Sequence, residues 1–328
     1  MDLVNVTPEV VNKSVLHCLS HEVHARNWLA LIVLIIEIIV GLPGSVGALW
    51  IFCFRMKVWK PHNLFLFNLV LADFLLLVSV PFRLDIHLRA DNWVFGQVWC
   101  SINLFMLSTN RSASIAFMTV VALDRYFKVV HPHHGISRMT SVQATWLTVL
   151  MWTAVIALRI PLLTTDLLHH HGNVTLCRSF NTYSVVPVKI KVHYVAFIAE
   201  FFLPWFLLLF CSAQIACHLH QRQMDRHERV QRAIRAVVVI SAVFTFCFMP
   251  SVVTGLVGIH IKTFYPTDCP LYYQFTQLFK MCISLTYLNS ALDPLVYCFS
   301  SSMFRGALKS AVNFKKNVRL ANSVPHNS

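Results

Sequence analysis

NLFMLSTNRSASIAFMTVVALDRYF, residues 103–127, is an apolar run with one fixed charge, Arg111, near its middle and Asp124-Arg125-Tyr126 at its end. A helix that crosses a bilayer needs about 20 mainly apolar residues, and this run is long enough. Arg111 has no charged neighbour in sequence nearer than Asp124. An arginine in mid-membrane costs at least about 2.5–3.5 kcal/mol on insertion scales, so it requires a counterion or a water-filled cavity. Which of these Arg111 has decides how the chain is read.

Similar runs lie on either side. Residues 27–54, 63–88, 99–123, 142–163, 192–219, 233–261 and 272–299 each read as one span, in a chain of 328 residues that is 56% hydrophobic and 12% charged. That composition excludes an ordinary soluble enzyme. It predicts an all-α membrane protein, a seven-transmembrane helix bundle. The expected organisation is an outer N-terminal segment over 1–26, the bundle over 27–301, and a tail over 302–328. The first 25 residues are polar, without a basic start followed by an apolar core, so no cleaved signal peptide is expected. In the tail, Phe304, Leu308 and Ala311 or Val312 recur at helical spacing among Arg305, Lys309, Lys315 and Lys316. This predicts a short amphipathic helix 8 on the inner leaflet.

The net charge of +13 is unevenly placed. Fifteen of the 27 Lys and Arg residues, from Arg55, Lys57 and Lys60 through Arg222–Arg235 to Arg319, fall in alternate loops and the tail, opposed there only by Asp225 and Glu228. By the positive-inside rule those segments face the cytoplasm, which puts the N-terminus outside. The excess therefore reports topology and contact with anionic lipid rather than nucleic-acid binding. The sequons at Asn5, Asn12 and Asn173 fall on the outer side and are expected glycosylation sites; a fourth, Asn110-Arg-Ser112, lies within a span. Cys18, Cys100, Cys177 and Cys269 lie outside or at the outer edge, where disulfides persist. Four cysteines allow three pairings; the expected ones are Cys100–Cys177 and Cys18–Cys269. Pro43, Pro81, Pro204, Pro250 and Pro294 sit inside spans, where each removes a backbone donor and bends its helix.

Four landmarks follow one another on these spans: NLVLADFLL with Asp73, LDRYFKVVHP with Asp124-Arg125-Tyr126, FCFMP with Pro250, and NSALDPLVYCF with Asp293-Pro294 and Tyr297. In that order, with Trp152 in the fourth span and Cys100 opening the third, the chain resembles the rhodopsin-like (class A) G-protein-coupled receptors over nearly its whole length. FNLVLADFLLLVSVPFR, CRSF, EFFLPW, QRQMDRHERVQRAI and LTYLNSALDPLVYCFSS narrow the resemblance to the hydroxycarboxylic acid receptors and the related oxoeicosanoid receptor. It implies a receptor for a small carboxylate, a hydroxycarboxylic acid or an oxidised fatty acid. It also implies signalling through inhibitory Gi/o proteins to lower cAMP, with arrestin and a receptor kinase as further partners.

The resemblance assigns Arg111 to the ligand carboxylate. The residue type suits this, because a guanidinium offers a planar fork that takes a carboxylate through two hydrogen bonds. A second reading stays open: Glu200, at comparable depth in the fifth span, neutralises Arg111 internally, and a ligand would break that bridge. Arg83 is a second cation near the outer mouth, either facing ligand or paired with Asp85. Ser179 and Phe180, just past Cys177, match loop residues that cap the ligand in this group. Tyr287 either offers a hydroxyl to the carboxylate or packs between helices, and Leu107, a turn above Arg111, lines the apolar part. Where several relatives carry another arginine in the sixth span this chain has Gly255, which leaves room for a longer acyl chain. Ser45 replaces the usual asparagine of the first span.

For signalling, the resemblance implies that Asp124 holds Arg125 in the inactive state and that Phe248, near Pro250, couples ligand contact to movement of the sixth helix. Tyr297 then fills the space that opens. Asp73, Ser114, Asn289, Ser290 and Asp293 match the class's internal sodium site, although the two carboxylates could instead share a proton. No other cofactor is expected. An anion channel or monocarboxylate carrier lined by Arg111, or a class A receptor for a different anionic ligand, are the alternatives.

Overall fold

A computed structural model describes residues 28–56, 59–89, 92–171, 174–177, 188–221, 228–265, 268–301, 304–306 and 308–310. Among these, seven membrane-crossing segments follow one another. They are α1 Trp28–Arg55, α2 Pro61–Leu88, α3 Gly96–Val130, α4 Ser141–Leu163, α5 Val188–Gln221, α6 Glu228–Phe264, and a seventh built from α7 Cys269–Leu285 and α8 Leu288–Ser300. Within them Trp28–Arg55, Pro61–Leu88, Ser141–Leu163, Tyr194–His218 and Ala233–Ile261 are long and apolar enough to cross a bilayer on length and composition alone. Between α4 and α5 a two-stranded antiparallel hairpin, β1 Leu168–His171 and β2 Val174–Cys177, pairs Leu168 with Cys177 and His171 with Val174.

Burial is distributed as lipid requires. Phe54, Trp146 and Leu203 are exposed on the outside, whereas Asn68, Asp73, Asn103, Asn110 and Asn289 are buried. In a bilayer the outer face meets hydrocarbon, and polar groups must find partners within the bundle. They do so between helices: Trp152 Nε1 donates to Asn68 Oδ1 at 2.9 Å, joining α4 to α2, and Asn110 Nδ2 donates to the Ala72 carbonyl at 2.9 Å, joining α3 to α2. The sequon at Asn110 is thus committed to packing. α3 is central, packing against α2, α4, α5 and α6. Its start is set by Gly96, whose φ of 78° suits a residue without a Cβ.

Local chemistry bends the rods. In α1 the turn Glu37–Gly41 widens so that the Leu42 N–H bonds the Glu37 carbonyl, one residue further than in an α-helix. Pro43, which has no N–H, follows directly. The seventh segment breaks at Thr286–Tyr287: the Thr286 hydroxyl takes the Ile283 carbonyl at 2.6 Å, and the Tyr287 N–H bonds Ser284 at 3.1 Å in a tighter turn. α3 also runs beyond the expected 99–123 at both ends. Pro161, inside α4, adds to the prolines expected within spans. Past α8, residues 304–306 and 308–310 are helical. Phe304 is buried there, its ring 5.6 Å from Phe52 and 5.8 Å from Tyr297.

Candidate functional site

α3 carries Arg111 into the bundle between α5 and α6. The side chain is 9% exposed, and its Nε and one terminal nitrogen are buried without a hydrogen-bond partner. Its guanidinium carbon lies 3.8 Å from the centroid of the Phe197 ring on α5 and 5.7 Å from that of Phe248 on α6. A cation over a desolvated ring gains about 2 kcal/mol, less than the several kcal/mol that removing an ion from water costs. Among the described residues no carboxylate makes an ion pair with Arg111. A buried fork is held open between two aromatic walls.

The expected internal counterion is engaged elsewhere. Glu200 Oε2 forms a short ion pair with Arg159 of α4 and accepts from the Ser112 hydroxyl at 2.8 Å. Arg159 Nε also donates to Ser112 Oγ at 3.1 Å. Arg159 is 1% exposed, among the most completely buried large side chains of the molecule. Sequence reasoning passed over it. The available signal was a lone base within SVQATWLTVLMWTAVIALRIPLL, and it needed an acid on another helix to give it meaning.

Arg83 and Asp85 of α2 do not pair with each other. Arg83 Nε is buried without a partner, and Asp85 pairs with Arg89 at 2.8 Å instead. Residues two apart point to different sides of a helix and residues four apart share one, which decides between Arg83 and Arg89. Leu107 and Tyr287 meet in one buried cluster with Leu76 and Val80 of α2 and Val33 and Leu34 of α1. The expected gain of volume at Gly255 is taken up by a neighbour, because a Cβ there would lie 3.1 Å from Phe279 Cε2 of α7.

Where α2 meets α8, the Tyr297 hydroxyl donates to Asp73 Oδ2 at 2.7 Å and Asn289 Nδ2 donates to Asp293 Oδ2 at 3.1 Å. Five further oxygens, Asp73 Oδ1, Ser114 Oγ, Asn289 Oδ1, Ser290 Oγ and Asp293 Oδ1, are buried and unpartnered. Unmet hard oxygen donors from two carboxylates, an amide and two hydroxyls suit a small cation.

A profile of the 7 transmembrane receptor (rhodopsin family) matches residues 44–297. Hydroxycarboxylic acid receptor 3 of Homo sapiens is 44% identical over 285 residues, covering 86% of this chain and 72% of its own length. Hydroxycarboxylic acid receptor 2 of Homo sapiens is 43% identical over 282 residues, covering 86% and 77%. Oxoeicosanoid receptor 1 of Homo sapiens is 38% identical over 272 residues, covering 83% and 69%.

The chain belongs to the rhodopsin family of seven-transmembrane receptors, in the hydroxycarboxylic acid and oxoeicosanoid receptor group. It is therefore a multi-pass receptor of the plasma membrane with a small-molecule ligand and a G protein as partners, and not an enzyme. The assignment favours a receptor over the channel or carrier alternative.

At the receptor's cytoplasmic end Asp124 pairs with Lys128 Nζ at 2.7 Å, one turn on along the same face, and lies 3.4 Å from His62 Nδ1. Arg125 donates to the Ser300 carbonyl at 3.1 Å, and His62 Nε2 donates to the same carbonyl at 2.9 Å. His62, which sequence reasoning did not single out, thus ties α2 to α3 and to the end of α8. The Tyr126 hydroxyl meets His131 Nε2 at 3.1 Å. Phe248 is buried beside Phe244, two residues before the helix-bending Pro250, and Pro294 lies inside α8.

On the outer face the receptor has the disulfide Cys100–Cys177, tying the first turns of α3 to β2. Ser179, Phe180, Cys18, Asn5, Asn12 and Asn173 lie outside the described residues, so the capping residues, the Cys18–Cys269 pairing and the glycosylation sites remain expectations. Ser45 is buried with its hydroxyl unpartnered. The shorter side chain has replaced asparagine without restoring its hydrogen bonds.

Proposed function

We propose that the receptor is activated by a single carboxylate that docks on Arg111 and that it signals through Gi/o proteins to lower cAMP. One observation carries this reading: a buried guanidinium, 3.8 Å from the Phe197 ring centroid and 5.7 Å from that of Phe248, with two nitrogens unpaired. A carboxylate supplies two acceptors in the geometry that a planar fork requires. Arg83 attracts the anion at the mouth, Leu107 and Tyr287 bound its carbon chain, and Ser179 and Phe180 cover it. The names of the relatives, hydroxycarboxylic acid receptors and an oxoeicosanoid receptor, support both the acid and its substituted chain. With Phe279 against Gly255 the cavity has neither the arginine of some relatives nor an open extension, and chain length is set by how readily that ring moves.

Contact of ligand and Arg111 with Phe248 gives α6 a direct reading of occupancy, because Pro250 lies half a turn away. Motion of α6 then frees Arg125 from Ser300 for the G protein, with Asp124, Tyr126, Asp293, Pro294 and Tyr297 shaping the two states. A sodium ion, held by Asp73, Ser114, Asn289, Ser290 and Asp293, supplies the missing positive charge among the buried acids. Arrestin, a receptor kinase and anionic lipid are the further partners of the basic inner surface.

A cAMP-inhibition screen of 2- and 3-hydroxy acids against oxidised eicosanoids tests the reading, run on the parent receptor and on Arg111→Ala at matched surface expression. The substitution should abolish every carboxylate response. Undiminished potency in the variant removes Arg111 as the docking group.

A further inference from the structure

We infer that Arg159 is a positioning residue that reserves Arg111 for ligand: by binding Glu200 it withholds an acid of the neighbouring α5 that could neutralise Arg111. This inference rests on the carboxylate reading above and deepens it. The geometry that carries it is compact. Ser112, the residue next to Arg111, donates its hydroxyl proton to Glu200 and accepts from Arg159, so acid, base and hydroxyl form one network on three helices. Glu200 and Arg159 both lie within electrostatic reach of the Arg111 guanidinium. Two buried arginines and a half-buried glutamate thus meet with a net charge of +1, and the geometry assigns that charge to Arg111, two of whose nitrogens are unpartnered. A site with one uncompensated positive charge takes a monocarboxylate. A dicarboxylate would bring a second negative charge with no cation at that depth to receive it.

The order of strength among contacts explains why the partition goes this way. Arg159 reaches Glu200 with a terminal nitrogen and is steadied by a second bond to Ser112, while the Arg111 guanidinium carbon lies over the Phe197 ring, 3.8 Å from its centroid, with Nε and one terminal nitrogen unpartnered. Without Arg159, Glu200 would be a half-buried carboxylate with one hydroxyl donor and an arginine next in line. Arg111 would then turn to it and lose its availability.

The decisive experiment is a double-mutant cycle read by thermal melting of the purified, detergent-solubilised, ligand-free receptor. Arg111→Leu, Glu200→Gln and their combination are compared in the parent and in an Arg159→Leu background. In the parent the two shifts should nearly add. In the Arg159→Leu background they should depart from additivity by about 2–4 °C, as expected of a newly formed contact pair. Equal non-additivity in both backgrounds overturns the inference. If Arg159→Leu alone fails to reach the cell surface, Arg159→Leu/Glu200→Gln is expressed beside it. Recovery in that pair would mean that Arg111 cannot take over Glu200, and continued failure would place Arg159 in folding alone; either overturns the proposal. A failure of the carboxylate reading itself would appear separately, as an unchanged acid response in Arg111→Ala, and leaves the melting cycle interpretable.

Discussion

A guanidinium and an ammonium carry the same charge with different shapes, and the site at Arg111 depends on the shape. Arg111→Lys keeps a cation but removes the fork and its stacking on Phe197, so the potency of active carboxylates should fall about 10–100-fold, with surface expression retained. Unchanged potency would mean that charge alone suffices. Gly255 makes a second test at this scale. A Cβ there would lie 3.1 Å from Phe279 Cε2, so Gly255→Arg should lower melting temperature unless Phe279→Ala is made with it; in the pair, short hydroxy acids should gain potency over long acyl chains. An unaltered rank order would separate Gly255 from the ligand. Arg111 was legible because a charge in an apolar run stands out against its own neighbours. Arg159 stands out equally, yet its meaning lies in Glu200, 41 residues on, and a chain read in one dimension does not show which acid an arginine will face.

At the scale of elements, spans and prolines could be read from hydropathy and residue type. Breaks in the helices could not, since they arise from competition for single carbonyls, as when the Thr286 hydroxyl takes that of Ile283. The wide turn of α1 is similar. There the Glu37 side chain folds back over Gly41, and a Cβ at Gly41 would come within 2.6 Å of the Glu37 carboxyl carbon. Gly41→Ala should therefore destabilise by about 1–3 kcal/mol, the usual range for overpacking, seen as a lower melting temperature; a neutral result would show that Glu37 can swing aside. The knot at His62 joins α2, α3 and α8 through the Ser300 carbonyl and Asp124. His62→Ala should loosen Arg125 and raise ligand-independent lowering of cAMP. A basal signal equal to that of the parent at matched expression would deny His62 this latch role. The sequence motif at 124–126 placed its residues at the inner end but did not show the partners Lys128, His62 and Ser300, which lie outside it.

In the described bundle polar residues run down the middle and apolar ones coat the exterior, and the outer end carries a covalent link between α3 and β2. Cys100–Cys177 closes a separation of 77 residues. Cys177→Ser should cost about 2–5 kcal/mol, the range for losing a native disulfide, and show as a drop in melting temperature together with weaker acid responses. Retained stability would place the hairpin's docking in β-strand and backbone contacts alone, such as the Trp93 N–H to Thr175 carbonyl bond at 2.7 Å.

The bond between Arg159 and Glu200 also has a history, because the ribosome makes its two ends at different times. When α4 enters the translocon, α3 and its Ser112 hydroxyl already exist, but the acid has yet to be synthesised. For that interval a bare cation must be sheltered by the insertion machinery rather than released into lipid. Photocrosslinking of ribosome-arrested chains should find α4 retained at the translocon until α5 has emerged, whereas its escape beforehand would show that the arginine needs no acid to settle. A charge network built to receive a ligand would in this way also fix the order in which the bundle is assembled.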